Sequence, residues 1–149
     1  MEIYHGSYTI IEQPELQDGR FTKDFGNGLY CTALKHQAER WAGRYDTPII
    51  DIYEYEENPS LNIKKFETMT DEWLDFVVDC RLGKPHDYDI VMGAMADDQI
   101  YNYVADFMNG NFTREQFWVL AKFKYPTHQI VFCTPEALKC ITFKGFEKA

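Results

Sequence analysis

No run of apolar residues in this chain approaches the eighteen or so that a membrane-spanning helix needs. Met1-Glu2-Ile3 also lacks the positive charge that opens a secretory signal. Both absences lead to the expectation of a cytoplasmic protein. The four cysteines, Cys31, Cys80, Cys133 and Cys140, form no Cys-x-x-Cys and have no histidine at metal-ligand spacing, so reduced, mostly buried thiols are expected and no metal site. Basic residues are scarce, 15 against 24 acidic ones for a net charge of -9, and no predicted helix carries a basic stripe. Non-specific binding to nucleic acid depends on Lys and Arg neutralising phosphates, so that partner is not supported. Internal repeats, linkers and breaks in composition are absent as well, and residues 1–149 read as one domain.

What the chain does have is apolar and aromatic surface to bury, with 45% hydrophobic residues, 10 Tyr and 11 Phe. That excludes a disordered chain. Alternation predicts a strand over residues 2–11, and short runs of apolar residues between turn signals predict others over 29–32, 49–55, 61–66, 88–92, 129–133 and 140–143. Helical spacing predicts helices over 34–44 (Leu34, Ala38, Trp41 and Ala42 on one face), 71–82 (Trp73, Phe76, Val77, Cys80) and 97–108 (Ile100, Val104, Phe107, Met108). Thr113-x-x-Gln116 is a capping-box pattern that opens a further helix through Phe117, Leu120 and Phe123. Thr134-Pro135-Glu136 places a cap and a first-turn proline before a short one. Strands at both ends with helices between them predict an α+β domain.

Two motifs stand near the N-terminus in a fixed order. Tyr4-His5-Gly6-Ser7 lies on the first strand, and Phe25-Gly26-Asn27-Gly28-Leu29-Tyr30-Cys31-Thr32 is a glycine turn running into the second. Read alone, His5 and Gly6 fit either a strand histidine satisfied in the core beside a bulge glycine, or a ligand site in which a glycine permits close approach of the main chain. Cys31 is a conceivable nucleophile with His5 as base, but it follows Tyr30 on a strand and should point to the opposite face.

Together the two motifs resemble the halves of the NAD site of ADP-ribosyltransferases of the His-Tyr-Glu type. The resemblance implies a split antiparallel β core with flanking helices, NAD as the substrate, and cleavage between nicotinamide and ribose through an oxocarbenium-like state. On it, His5 holds a hydroxyl of the adenosine ribose, Gly6 offers its main-chain N–H and C=O to the nicotinamide carboxamide, and Ser7 adds a hydroxyl there. Tyr30 covers the nicotinamide ring, Gly26 and Gly28 let the loop fold tightly, and Trp41 stands as a second aromatic wall or as plain core. The glutamate of that pattern has no counterpart, since the late strand reads Thr127-His128-Gln129-Ile130. Gln129 is the expected substitute, because an amide still binds ribose hydroxyls, with His128 as runner-up. The implied catalytic set is His5, Tyr30 and Gln129.

A second resemblance covers nearly the whole chain. Tyr4-His5-Gly6-Ser7, residues 23–30, residues 72–76, residues 88–98 and residues 129–134 look like the DUF3990 family, small bacterial proteins grouped with the ADP-ribosyltransferases. Some members occur in toxin-antitoxin-like gene pairs, which implies a protein partner. Asp97 and Asp98 open a predicted helix, where carboxylates cap and complement the dipole, and either could instead face the cleft and supply the missing acid. Lys23 and Arg20 are the nearby cations suited to pyrophosphate, or part of a solvated loop. The expected activity is mono-ADP-ribosyl transfer from NAD to a macromolecule, a toxin's activity. An NAD or ADP-ribose-binding module without turnover and an NAD glycohydrolase are the alternatives.

Overall fold

The computed structural model describes residues 1–16, 23–96, 98–121 and 127–149, with nothing described of the Asp98 side chain. Among these residues, seven strands and five helices form an α+β architecture of two sheets. The strands are β1 (Glu2–Ser7), β2 (Leu29–Cys31), β3 (Ile49–Tyr55), β4 (Ile63–Lys65), β5 (Ile90–Gly93), β6 (Gln129–Phe132) and β7 (Ile141–Lys148). The helices are α1 (Lys35–Ala42), α2 (Asp71–Arg81), α3 (Asp98–Met108), α4 (Arg114–Leu120) and α5 (Pro135–Leu138). One sheet has the order β1-β3-β7 and the other β2-β6-β5-β4. The expectation of an antiparallel core needs one correction: β4 runs parallel to β5 at the edge of the second sheet. Among the described residues no helix is long and apolar enough to cross a membrane.

Side-chain alternation sorts the core into layers. On β6, Ile130 and Phe132 join Ile3, Cys31, Tyr53, Tyr55 and Ile90 between the sheets. Val131 faces the other way and packs with Phe25, Trp73, Leu74, Val77, Ile100, Val104 and Phe117, on the side of α2, α3 and α4. On β3, Ile50 turns to Ala38 and Ala42 of α1, while Tyr53 and Tyr55 face the second sheet. β6 is therefore buried on both faces, which is why Ile130, Val131 and Phe132 are apolar in succession rather than in alternation.

Helix starts follow the local signals. The Thr113 hydroxyl accepts from Gln116 N and the Gln116 carboxamide accepts from Thr113 N, completing the capping box. Thr134 caps α5 through Ala137 N, with Pro135 in the first turn. The predicted extension of α4 to Phe123 lies outside the described residues. Most strand ends fall within one or two residues of expectation, and two differ by more. β1 stops at Ser7 because the Ser7 hydroxyl turns onto the Thr9 main chain, and Ile11 is then held by β3 side chains, Asp51 accepting from Ile11 N and Tyr53 donating to Ile11 O. β7 runs past Phe143 to Lys148, because Gly145, at φ +159, absorbs a register shift opposite Ile52 and Tyr53 and pairing resumes beyond it.

Candidate functional site

Among the described residues the two sheets meet at one bridge, where Tyr4 N donates to Thr32 O at 2.9 Å and Thr32 N to Tyr4 O at 2.8 Å. In that register Gly6 stands opposite Tyr30, and strand alternation turns the Gly6 N–H and C=O to the β2 side, as it does those of Tyr4. Among the described residues no hydrogen bond continues the bridge there. The sheets split at Gly6. A main-chain donor and acceptor pair is left facing the opening.

His5 spans the split with its side chain, its Nδ1 lying 2.7 Å from the Tyr30 carbonyl oxygen. Burial lowers the His5 pKa from the ordinary 6.5 more than this bond raises it, and the Lys23 charge lowers it further. A neutral ring bonded to a carbonyl must carry its proton on Nδ1, which leaves Nε2 as an acceptor. Across the β1–β3 ladder His5 pairs with Asp51, a fully buried carboxyl whose Oδ2 has no hydrogen-bond partner among the described residues and whose pKa burial raises. An acid flanked by Ile50 and Ile52 in the middle of a well-marked strand was the signal for it in the sequence.

The glycine loop is built around Tyr30. Its hydroxyl donates to Gly26 O at 2.6 Å and accepts from Phe25 N at 3.0 Å, closing a turn in which Gly26 takes φ +81. With the hydroxyl so used, a ligand can meet only the ring face, and Lys23 Nζ lies 4.9 Å from the ring centroid. Partial desolvation of the ammonium and then the charge of Arg44 lower the Lys23 pKa, although the residue as a whole is exposed. Arg44, which donates from Nε to Trp41 O, is a second cation beside the loop that sequence reading missed, because it lies beyond the C-terminus of α1 and far from both motifs. Arg20 lies outside the described residues.

Packing accounts for two glycines. A Cβ on Gly6 would overlap the Ala38 carbonyl oxygen and come 2.9 Å from Ala42 N, with the half-buried Trp41 alongside. A Cβ on Gly28 would stand 2.6 Å from Phe132 O. Ser7 spends its hydroxyl on the Thr9 turn. Cys31 faces the inter-sheet core, opposite to Tyr30, and burial raises its pKa, so the thiol is held protonated and away from His5's partner Tyr30.

On the late strand, Gln129 and His128 part as alternation requires. Gln129 lies on the Tyr30 face of the second sheet, because Tyr30 pairs with Val131, and it is 1% exposed. His128 Nδ1 accepts from Ala33 N at 3.3 Å, and the His128 main chain is bonded at both N and O by the buried carboxamide of Gln37. That pairing explains why Gln37, unremarked in the sequence, is a buried residue of α1. Asp97 and the side chain of Asp98 lie outside the described residues. A separate concavity between α1 and the end of β7, walled by Glu39, Pro48 and Glu147, contains none of the expected site residues. Among the described residues no three His, Cys, Asp or Glu side chains could hold a metal ion.

The histidines set an acid limit. Burial lowers the pKa of His128 as well as that of His5. Below 6.5 the unfolded chain binds protons that the folded chain resists, so stability is full above that value and falls as the pH drops toward the folded pKa values. Asp51 acts in the opposite sense, since its raised pKa favours folding at low pH and costs stability as pH rises above 3.8. Urea midpoints of the wild type should therefore drop between pH 7 and about 5.5 more steeply than those of His5→Gln. Equal slopes would mean that the His5 ring titrates freely.

Compared with known proteins, residues 1–143 match a family described as a protein of unknown function, DUF3990. No curated protein and no solved structure matches the chain.

Proposed function

The chain belongs to the DUF3990 family, and from that premise we propose that it is an ADP-ribosyltransferase-like enzyme that binds NAD at the β1–β2 split and transfers ADP-ribose to a macromolecular acceptor. The observation that carries this reading is the Gly6 peptide, whose N–H and C=O face the split without a ladder partner. A primary carboxamide such as that of nicotinamide offers one acceptor and two donors and satisfies both groups at once. Beside it, His5 presents a bare Nε2 to a hydroxyl, and Lys23 and Arg44 bring positive charge into a chain of net charge -9, as a pyrophosphate requires. Stacking on Tyr30 uses the face away from Lys23 or displaces it.

In the reaction, the bond between ribose C1′ and the nicotinamide nitrogen breaks and its electron pair leaves with neutral nicotinamide. A lone pair of the acceptor then bonds C1′ and the acceptor releases a proton. No metal or resident cofactor enters this scheme. A cytoplasmic bacterial toxin held by a protein antitoxin is the biological setting the family resemblance suggests. Gln129 favours a second reading, a module that binds NAD or ADP-ribose without turnover, because an amide supplies no negative charge to the developing cation.

Two measurements test the proposal. NAD or nicotinamide should raise the melting temperature, since a ligand that binds only the folded chain stabilises it, and His5→Ala or Tyr30→Ala should erase the rise while the protein stays folded. Purified protein given labelled NAD and a cell lysate should release nicotinamide and place label on a macromolecule. Binding without nicotinamide release selects the module, label found only in free ADP-ribose selects hydrolysis, and no binding sinks all three.

A further inference from the structure

Asp24 stands two residues before the glycine turn's Gly26, yet it is only 7% exposed and serves as a hub between distant segments. Its Oδ1 accepts from Arg81 at 2.6 Å, and its Oδ2 accepts from Ala96 N at 2.7 Å. Arg81 is itself buried at the end of α2, lies over the Tyr101 ring at 4.1 Å and donates to Tyr101 O. Gln129 Nε2 lies 3.5 Å from Asp24 Oδ2 and 3.4 Å from Ala94 O. At those lengths the two contacts contribute little bond energy, but they decide an orientation. A carboxylate and a carbonyl only accept, so the amide nitrogen must face them, and the planar amide then turns its oxygen the other way.

We propose that Asp24 is a positioning residue of the candidate NAD site, fixing the Gln129 amide so that its oxygen, the end that accepts from a ribose hydroxyl, is turned out of the buried hub. The inference rests on the NAD reading and deepens it. Asp24 stands next to the loop that carries Tyr30, and Gln129 shares the Tyr30 face of the second sheet, so one carboxylate ties both halves of the site to α2 and to the segment before α3. Arg81 pairs with Asp24 in the same buried space, so Asp24 acts by orienting and polarising the amide and not as a free anion. The same geometry explains why the late strand carries glutamine. A glutamate at 129 would bring two carboxylates to about 3.5 Å, where like charges keep one of them protonated. The acid absent from β6 is present one contact away, on the loop.

A double-mutant cycle of D24N and Q129E tests this coupling. Q129E alone sets two carboxyls together, and the new carboxyl, followed by carbon-13 NMR, should titrate well above the ordinary value of about 4.3. In D24N/Q129E the carboxylate has moved to the late strand and can take over the Arg81 partnership, so its midpoint should fall by at least about one unit. The double variant should also regain most of the melting temperature that each single change loses, a non-additivity that two independent structural defects would not show. In nicotinamide release, D24N should lower kcat by about tenfold or more with KM within about threefold, the pattern of a group that acts on the reacting state.

Equal midpoints in the two backgrounds, additive losses of stability, or a D24N enzyme with wild-type kcat would each overturn the assignment. If D24N does not fold, a midpoint near 4.3 in Q129E alone does the same. A wild-type protein that releases no nicotinamide sinks the NAD reading, and the titration and stability arms then still decide whether Asp24 orients position 129.

Discussion

Asp24→Ala should destabilise the protein by about 3–5 kcal/mol, because it strands the Arg81 guanidinium in a buried space without its partner. Asp24 and Arg81 are 7% and 9% exposed, so water cannot readily replace the lost carboxylate. The Ala96 N–H loses its acceptor in the same step, and among the described residues Arg81 Nε already has no hydrogen-bond partner. For a chain of this length a loss of that size should lower the melting temperature by roughly ten degrees. Arg81→Ala should be comparably damaging from the other side of the pair. Glu136→Ala is the contrast, since its pair with Lys139 is solvated on both sides and should leave the midpoint almost unmoved. Urea unfolding at pH 7 measures all three, and an Asp24→Ala midpoint close to that of wild type would mean that the hub is open to water.

That hub also shows where sequence reading ends. Arg81 in the last turn of α2 looks like an ordinary partner for the helix dipole, and Asp24 looks like part of a solvated loop. Their pairing spans 57 residues and has no local signature. Gln37 was invisible for the same reason, as its carboxamide is buried only because the main chain of His128 lies against it. By contrast, the capping box of Thr113 and Gln116, the Thr134 cap and the apolar faces of α2 and α3 follow from interactions within a few residues, and the structure has them where the pattern puts them. Strand ends depended on contacts the pattern cannot carry: the Ser7 turn ended β1 early, and the Gly145 irregularity let β7 continue. Of the expected site, the meeting of His5 with Tyr30 was legible because both motifs were intact, whereas the split at Gly6 is a property of two sheets.

Gln129→Ala should lower nicotinamide release by about ten- to a thousandfold, on the order of 1.4–4 kcal/mol of barrier, while the stabilisation by NAD persists. The reason is the kind of interaction the residue can offer. On the NAD reading, His5 and the Gly6 N–H and C=O would hold the adenosine ribose and the nicotinamide carboxamide, groups outside the breaking bond, so their loss should appear first in affinity. An amide oxygen near the nicotinamide ribose gains strength only as positive charge grows on the sugar, so its loss should appear in kcat. His128→Ala should behave differently. Its ring accepts from Ala33 N at the end of β2 and lies on the other side of the strand, so the change should lower the melting temperature and leave turnover per folded molecule within about threefold of wild type. Steady-state release of nicotinamide, normalised to folded protein and read beside the NAD-induced shift in melting temperature, separates the two. If His128→Ala abolishes release and Gln129→Ala does not, the residue that meets the ribose is His128, and the face of β6 that carries Tyr30's neighbour is not the catalytic one.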